Sequence, residues 1–289
     1  MLILSWTLLV SRSLSAEYFS DAPGPHLTQL ATEVSVIEIT SIERLSGANS
    51  VTWAYGTNTP LIFAVRRTDN LLTNMNVIAT GIVSHPSGQS TFYDTNQVIR
   101  SPFYEIAVNP RGVAAAAEIR AVNTVGYHAH TADPGDLLLV SPTVDNFNGN
   151  TLEDILGSQL PVNSLVFIWN GFGFDPPAHR SVFFGWSPNY TVMRGQAIFV
   201  QISGTAPGAV TFAFTGEVPE ARNGGGTSSV TVAGLDATAY PYPVDIQFGE
   251  TQAAIAAPVG SSVFFWNPVT QRYDLPETKT TFLGWPMLG

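Results

Sequence analysis

The segment Val166-Phe167-Ile168-Trp169-Asn170, followed by Phe184-Gly185-Trp186, recurs as Val263-Phe264-Phe265-Trp266-Asn267, followed by Leu283-Gly284-Trp285. The lead-in recurs too. Pro161-Val162-Asn163-Ser164 returns as Pro258-Val259-Gly260-Ser261, so 161 maps to 258 and 169 to 266, an offset of 97 residues. Self-similarity at a fixed offset outranks local signals, because it divides a chain into equivalent units before any strand is assigned. The first copy runs 33 residues past its matching tryptophan, from Trp186 to Pro219, whereas only four residues follow Trp285. The expectation is therefore a second copy lacking its last two strands. Either the chain is a fragment, or another segment, in cis or in trans, completes the unfinished sheet.

Composition narrows the class. With 45% hydrophobic and only 12% charged residues, the chain is too apolar and too weakly charged to remain disordered. Its 25 glycines and 20 prolines, among many Thr, Val, Phe and Trp, favour strands and turns. A net charge of −10 argues against a nucleic-acid partner, which needs a basic face, and against anionic membrane surfaces. The absence of cysteine fits an exported bacterial protein and a cytosolic one equally.

Met1 to Val10 is an apolar run followed by the small and polar Ser11 to Ala16. It falls short of the about 20 residues that span a bilayer. A signal peptide over 1–16 is expected, although no basic residue precedes the run; the competing reading is a buried N-terminal strand. No other stretch reaches transmembrane length, so the chain is expected not to span a membrane.

A linker (17–33) leads into short strands at Val34–Ile39, Ser50–Ala54, Leu61–Arg67, Asn76–Thr80, Thr91–Asp94 and Phe103–Val108, separated by turn residues such as Gly56-Thr57-Asn58 and Pro86-Ser87-Gly88. This spacing predicts an antiparallel β-sandwich over 34–110. The succession Val51-Thr52-Trp53, Phe63 to Leu71, Val77 to Ile82, Tyr93-Asp94-Thr95 and Pro102 to Val108 resembles a fibronectin type III-like module, departing from that pattern at Met75. The resemblance implies a spacer or binding domain. Residues 111–124 form a connector, either a short helix over Val113–Arg120 or extended chain.

The first β-rich repeat spans 125–220. It holds strands at Asp136–Val140, Val166–Trp169, Val182–Trp186, Gln196–Gln201 and Ala209–Thr215, a helical turn capped by Asn150 or Thr151, and a hydrophilic hairpin tip over Phe174–Arg180. Its marks are Gly126-Tyr127, Val140-Ser141-Pro142, Trp169-Asn170, Gly185-Trp186, Gly195 to Val200 and Thr215 to Pro219. By these it resembles uncharacterised β-rich repeats of secreted proteins from environmental Gram-negative bacteria. That resemblance implies export and a β fold, not a reaction. A Gly/Ser linker (221–229) precedes the second, truncated copy (230–289), whose helical turn is Thr251–Ala257.

Candidate sites are sparse. Trp169, Trp186, Trp266 and Trp285 offer either a sugar-stacking platform or core packing. Phe172, Phe174 and Tyr190, on or beside loop tips, are the candidate ligand contacts. Asp145, Asn146, Asn148, Asn150, Glu153 and Asp154 are oxygen donors, but Phe147 breaks EF-hand spacing, so a turn and capped helix are expected rather than a calcium site. His128 and His130 share a strand face without a third metal ligand in view. No nucleophile elbow, catalytic cysteine or phosphate loop is present. Catalytic, cofactor and metal residues are thus expected to be none.

These readings combine into one expectation: an all-β protein, an antiparallel β-sandwich domain followed by two copies, the second truncated, of a β-rich repeat of about 97 residues. Its expected role is a non-enzymatic exported structural or adhesion module of the bacterial envelope or extracellular matrix. The alternative is the accessory carbohydrate-binding region of a larger secreted hydrolase. Expected partners are a glycan or another surface or matrix protein, with self-association through the unfinished repeat.

Overall fold

The computed structural model describes residues 36–45, 47–56, 61–71, 73–96, 101–108, 118–218, 235–242 and 246–285. The expected signal peptide, the 17–33 linker and the Gly/Ser linker lie outside these residues. In chain order the elements are β1 (Ile37–Leu45), β2 (Ala48–Tyr55), β3 (Ile62–Thr68), β4 (Asn76–Val83), β5 (Gln89–Asp94), β6 (Phe103–Val108), β7 (Ile119–Arg120), β8 (Thr124–Ala132) and β9 (Leu137–Val140). There follow α1 (Leu152–Ile155), β10 (Leu165–Ile168), β11 (Ala178–Ser181), β12 (Gly185–Ser187), β13 (Ile198–Gln201) and β14 (Val210–Val218). The last part holds α2 (Gln252–Ala256), β15 (Ser262–Val263), β16 (Trp266–Asn267), β17 (Arg272–Tyr273) and β18 (Glu277–Thr278). The fold is all-β and antiparallel, as the strand spacing predicts.

Three sheets stack in layers. The first is β1-β2-β5, the second is six-stranded with the order β14-β8-β6-β3-β4 and β7 on β6, and the third is β12-β11-β10-β13-β9. Around β6 the second sheet is covered on both faces, while β4 at its edge is largely exposed. Toward the first sheet it sends Phe63, Val65, Tyr104, Ile106, Val125 and Tyr127 against Ile37, Ile39 and Trp53. Toward the third it sends Phe103, Phe212 and Phe214 against Val166, Trp186, Ile198 and Val200. All six residues of β6 are buried. A strand enclosed on both faces needs an unbroken apolar run rather than alternation, and Phe103 to Val108 supplies one apart from Glu105. Glu105 is matched by Arg66 at 3.7 Å and Arg120 at 3.5 Å.

The middle sheet runs across the boundary expected between the 34–110 sandwich and the 125–220 repeat. β6 pairs with β8 through Phe103↔Gly126 and Tyr104↔Val125, and β8 pairs with β14 along its length. One sheet therefore joins strands on either side of the 111–124 connector. Pairing between strands is decided by which faces bury each other, which a strand list does not encode. Gly126 is the local requirement: a Cβ there would collide with the Phe103 ring. Of the helix considered over Val113–Arg120, residues 113–117 lie outside the described residues, while Ile119 and Arg120 form β7 and pair with Val108 and Ala107.

A buried polar network ties the first two layers together. Asn49 Nδ2 donates to Tyr104 Oη (3.1 Å), Tyr104 donates to Asp94 Oδ2 (2.7 Å), and Tyr127 donates to Asn49 Oδ1 (3.1 Å). Arg67 closes the network on Asp94. Burial, and next the hydrogen bond to Asp94, push the Tyr104 phenol well above its ordinary pKa. Such groups are tolerable in a core only when mutually satisfied.

The two hairpins that share a Trp-Asn sequence carry similar hydrogen bonds. Arg180 N donates to Ser164 O, and Lys279 N to Ser261 O; Asp175 N donates to Ile168 O, and Asp274 N to Phe265 O. The indole of Trp186 donates to Gly157 O (3.2 Å), and that of Trp285 to Ala254 O (3.0 Å). β10 pairs with β11 through Leu165↔His179 and Val166↔Ala178, just as β15 pairs with β18 through Ser262↔Thr278 and Val263↔Glu277. The second hairpin packs on the outside of the third sheet, where Trp266 meets Phe199 edge-on at 5.0 Å.

Candidate interaction surface

Each hairpin carries two tips, and both are built alike in the two segments. At the first tip, Asn170 Oδ1 accepts the N–H groups of Phe172 and Gly173 (both 3.0 Å), while its Nδ2 donates to Asp175 (2.7 Å). Asn267 repeats this with Val269 and Thr270 (both 3.1 Å) and with Asp274 (3.2 Å). An Asn side chain that captures backbone N–H groups two and three residues on fixes a turn without help from the core.

The second tip follows β11. Ser181 Oγ accepts the Phe184 N–H (2.9 Å), and Thr280 Oγ1 accepts the Leu283 N–H (3.1 Å). Gly185 and Gly284 then reverse the chain, both at φ +60°. A side chain at position 185 would also collide with the Glu153 carboxylate, which accepts the Trp186 N–H at 3.1 Å. The turn is thus held from outside by α1, whose own start is a capping box between Thr151 and Asp154.

The residues lifted onto this second tip are apolar. Phe183 is 89% exposed, Phe184 82% and Val182 71%; at the matching tip, Phe282 is 95% and Leu283 73% exposed. Contiguous exposed apolar residues on a soluble surface mark contact sites, since nothing in the fold itself benefits from them. The expectation of a strand over Val182–Trp186 is corrected here: only Gly185–Ser187 is strand, and Val182–Phe184 is turn. Conversely, Ala178–Arg180, expected within a hydrophilic tip, belongs to β11, which pairs with β10 and β12. Strand propensity favours Val-Phe-Phe, but the Ser181 hydroxyl and the left-handed glycine override it. The signal was present in both copies, as a hydroxyl residue three positions before the last apolar residue and a glycine directly after it (Ser181 to Gly185, Thr280 to Gly284).

The three residues expected to contact a ligand separate. Phe172 stands 98% exposed on its Asn-fixed tip. Phe174 lies beside Trp169 (5.3 Å) and Phe199 (5.9 Å) at the edge of an aromatic cluster and remains 52% exposed. Tyr190 packs against the core and its hydroxyl donates to Pro176 O at 3.0 Å. The four tryptophans are anchors. Besides Trp186 and Trp285, the Trp169 indole donates to Leu235 O (3.0 Å) and the Trp266 indole to Leu137 O (3.2 Å).

Asp145 and Asp154 of the 145–154 loop are engaged within the protein. Asp145 accepts from Arg194 (2.8 Å), and Asp154 accepts from the Thr151 N–H (3.0 Å) and hydroxyl (2.6 Å). His128 and His130 stack face to face at 4.6 Å, and the Nε2 of His130 is buried with no hydrogen-bond partner. Burial against Phe212 and Phe214, then repulsion from His128, lower the His130 pKa to about 3. Among the described residues no three His, Asp or Glu side chains converge to hold a metal ion, and no helix is long and apolar enough to cross a membrane.

Comparison of the chain with protein-family models, with curated proteins and with solved structures returns no match. The exposed tips therefore carry the functional argument on their own.

Proposed function

We propose that this chain is a non-enzymatic adhesive or structural binding module, exported to the bacterial envelope or extracellular matrix. The observation that carries the reading is the pair of equivalent tips, Val182-Phe183-Phe184 and Phe282-Leu283. In each, a hydroxyl and a positive-φ glycine hold apolar side chains out in water. Preorganised apolar residues on a rigid scaffold lose little entropy on contact, which favours binding over mobility. The stacked-layer scaffold supports a mechanical rather than catalytic role, and the order of strands in its first two sheets supports the resemblance to a fibronectin type III-like module. The glycan-binding alternative draws on one observation, the exposed Phe172 on its glycine-flanked tip, because an aromatic face stacks on the apolar face of a sugar.

The test is an adhesion assay with beads coated with the full chain, scored for bead–bead clustering and for attachment to Gram-negative cells. The expected result is strong attachment that a four-site variant (Phe183→Ser, Phe184→Ser, Phe282→Ser, Leu283→Ser) reduces at least about tenfold, with an unchanged circular dichroism spectrum. Attachment insensitive to these four changes, but abolished by Phe172→Ala and by soluble sugar, would establish the glycan reading instead. Turnover of any glycan by the purified chain would overturn both.

A further inference from the structure

Three sheet edges of this protein are covered by side chains that imitate a neighbouring strand. On β1, Asn123 accepts the Ile39 N–H (2.8 Å) and donates to the Ile39 carbonyl (2.9 Å). On β14, Gln159 makes the same pair of bonds to Ala213. On β9, Gln271 accepts the Leu137 N–H (2.7 Å) and the Trp266 indole donates to its carbonyl (3.2 Å). β4 ends the second sheet, and among the described residues no strand or side-chain amide covers its outer edge in this way. Open edges are ordinarily guarded by lysine, proline or an inward charge. Asn70 to Ser84, which contains β4, holds no charged residue and no proline. In a chain of net charge −10, such a neutral margin is where a like-charged copy can approach.

The strand also reads nearly the same in both directions. About Thr80, Val77 mirrors Val83, Ile78 mirrors Ile82 and the small Ala79 mirrors the small Gly81. Burial follows the same mirror. Ile78 and Ile82 pack on the core between the first two sheets, whereas Val77 and Val83 stand 53% and 63% exposed and Thr80 is exposed between them. β4 is bulged against β3, and Gly81 lies at φ +76°. Bulges can guard an edge by bending it away. Here the space beside the bend is open, since a Cβ added at Gly81 would meet no atom within 4 Å.

We propose that β4 pairs with β4 of a second copy of this chain, antiparallel, about a two-fold axis through Thr80. Rotation about an axis normal to the sheet reverses strand direction and keeps each face on its own side, so the second sheets of the two copies become continuous. Ile78 then stands opposite Ile82 on the core side, Val77 opposite Val83 on the outer side, and Thr80 opposite itself. Main-chain hydrogen bonds supply the affinity, and β-branched pairs directly opposite each other add to it. A two-fold contact requires a self-complementary edge, and the mirror order of β4 supplies one; to a foreign strand that order has no value. The contact involves none of the tip residues, so this inference and the adhesive reading stand or fall independently.

The test uses the full chain, which contains no cysteine, so that a single introduced thiol reports only its own neighbours. Residues directly opposite in an antiparallel pair hold their Cβ atoms about 5 Å apart. With diamide as oxidant, Thr80→Cys should link to itself as a covalent dimer. Val77→Cys alone should stay unlinked, whereas a mixture of Val77→Cys with Val83→Cys should give the mixed dimer. Sedimentation equilibrium should show a reversible monomer–dimer equilibrium. Thr80→Lys should weaken it at least about tenfold, by setting like charges opposite each other at the axis, with an unchanged circular dichroism spectrum. The tip variant Phe183→Ser with Phe184→Ser should dimerise as the native chain does. The proposal is overturned by any of four results: a chain that stays monomeric at near-millimolar concentration, a dimer that Thr80→Lys leaves intact, a dimer lost in the tip variant, or Val77→Cys linking to itself as readily as Thr80→Cys. The last is what parallel strands or random collisions would give.

Discussion

His130 makes the stability of this protein depend on pH in a way that one substitution removes. Its ring lies between His128, Phe212 and Phe214, and its Nε2 is buried without a hydrogen-bond partner. The pKa falls from 6.5 to about 3, because burial and then the neighbouring His128 disfavour the imidazolium. A base with a depressed folded-state pKa takes up a proton on unfolding first. The stability it permits is thus complete above about pH 6.5 and is lost as pH falls from there toward 3. With these two values, the linkage relation gives a loss of about 2 kcal/mol between pH 7 and pH 5. Partial solvent access to the ring lowers the working expectation to about 1–2 kcal/mol. The assay is urea unfolding followed by tryptophan fluorescence at pH 7, 6 and 5, for the native chain and for His130→Leu. Carboxylates contribute equally to both proteins, so the difference isolates His130. The variant should be at least as stable at pH 7, since a buried polar atom without a partner is removed. It should also lose about 1–2 kcal/mol less on acidification. Parallel pH curves for the two proteins would refute the reasoning.

Three further substitutions test the scaffold. Tyr104→Phe leaves the Asp94 carboxylate and the Asn49 amide each short of a partner in the core, and should cost about 1–3 kcal/mol by denaturant unfolding. Gln159 covers the outer edge of β14 by accepting the Ala213 N–H (2.8 Å) and donating to the Ala213 carbonyl (3.1 Å). Gln159→Ala should therefore increase concentration-dependent association in sedimentation experiments, as an uncovered edge does. Lys279, the single lysine of the chain, donates to Ala254 O (3.0 Å), Ile255 O (2.7 Å) and Ala257 O (2.8 Å) at the end of α2. Lys279→Met should cost about 1–2 kcal/mol and make the amides of 252–257 exchange faster with solvent, leaving those of β8 unchanged.

How much of this was legible beforehand can be argued from particular residues. Strand positions in the first 108 residues were, because alternation and turn residues such as Gly88 act within a few positions. The Thr151 cap was legible for the same reason, its partner Asp154 being three residues away. The Val182–Phe184 tip was misread as strand: a run of β-formers gave the ordinary signal, and a hydroxyl with a glycine redirected the backbone. Of the three expected contact residues, Phe172 and Phe174 both stand at the surface, Phe174 beside Trp169, while Tyr190 is tied to the Pro176 carbonyl, a partner that no spacing rule reveals.

By itself, the sequence determined the class and the local geometry. Apolar periodicity, glycine conformations and a repeated Trp-Asn hairpin are short-range properties, so they survive without knowledge of the whole. Only the tertiary structure decided that β6, β8 and β14 share one sheet, covered on both faces around β6. It alone turned four tryptophans into anchors for distant carbonyls, and it alone enclosed His130 beside Phe212 and Phe214. The physical reason is common to all three. Burial is decided between elements far apart in the chain, whereas the signals a sequence carries most clearly act between neighbours.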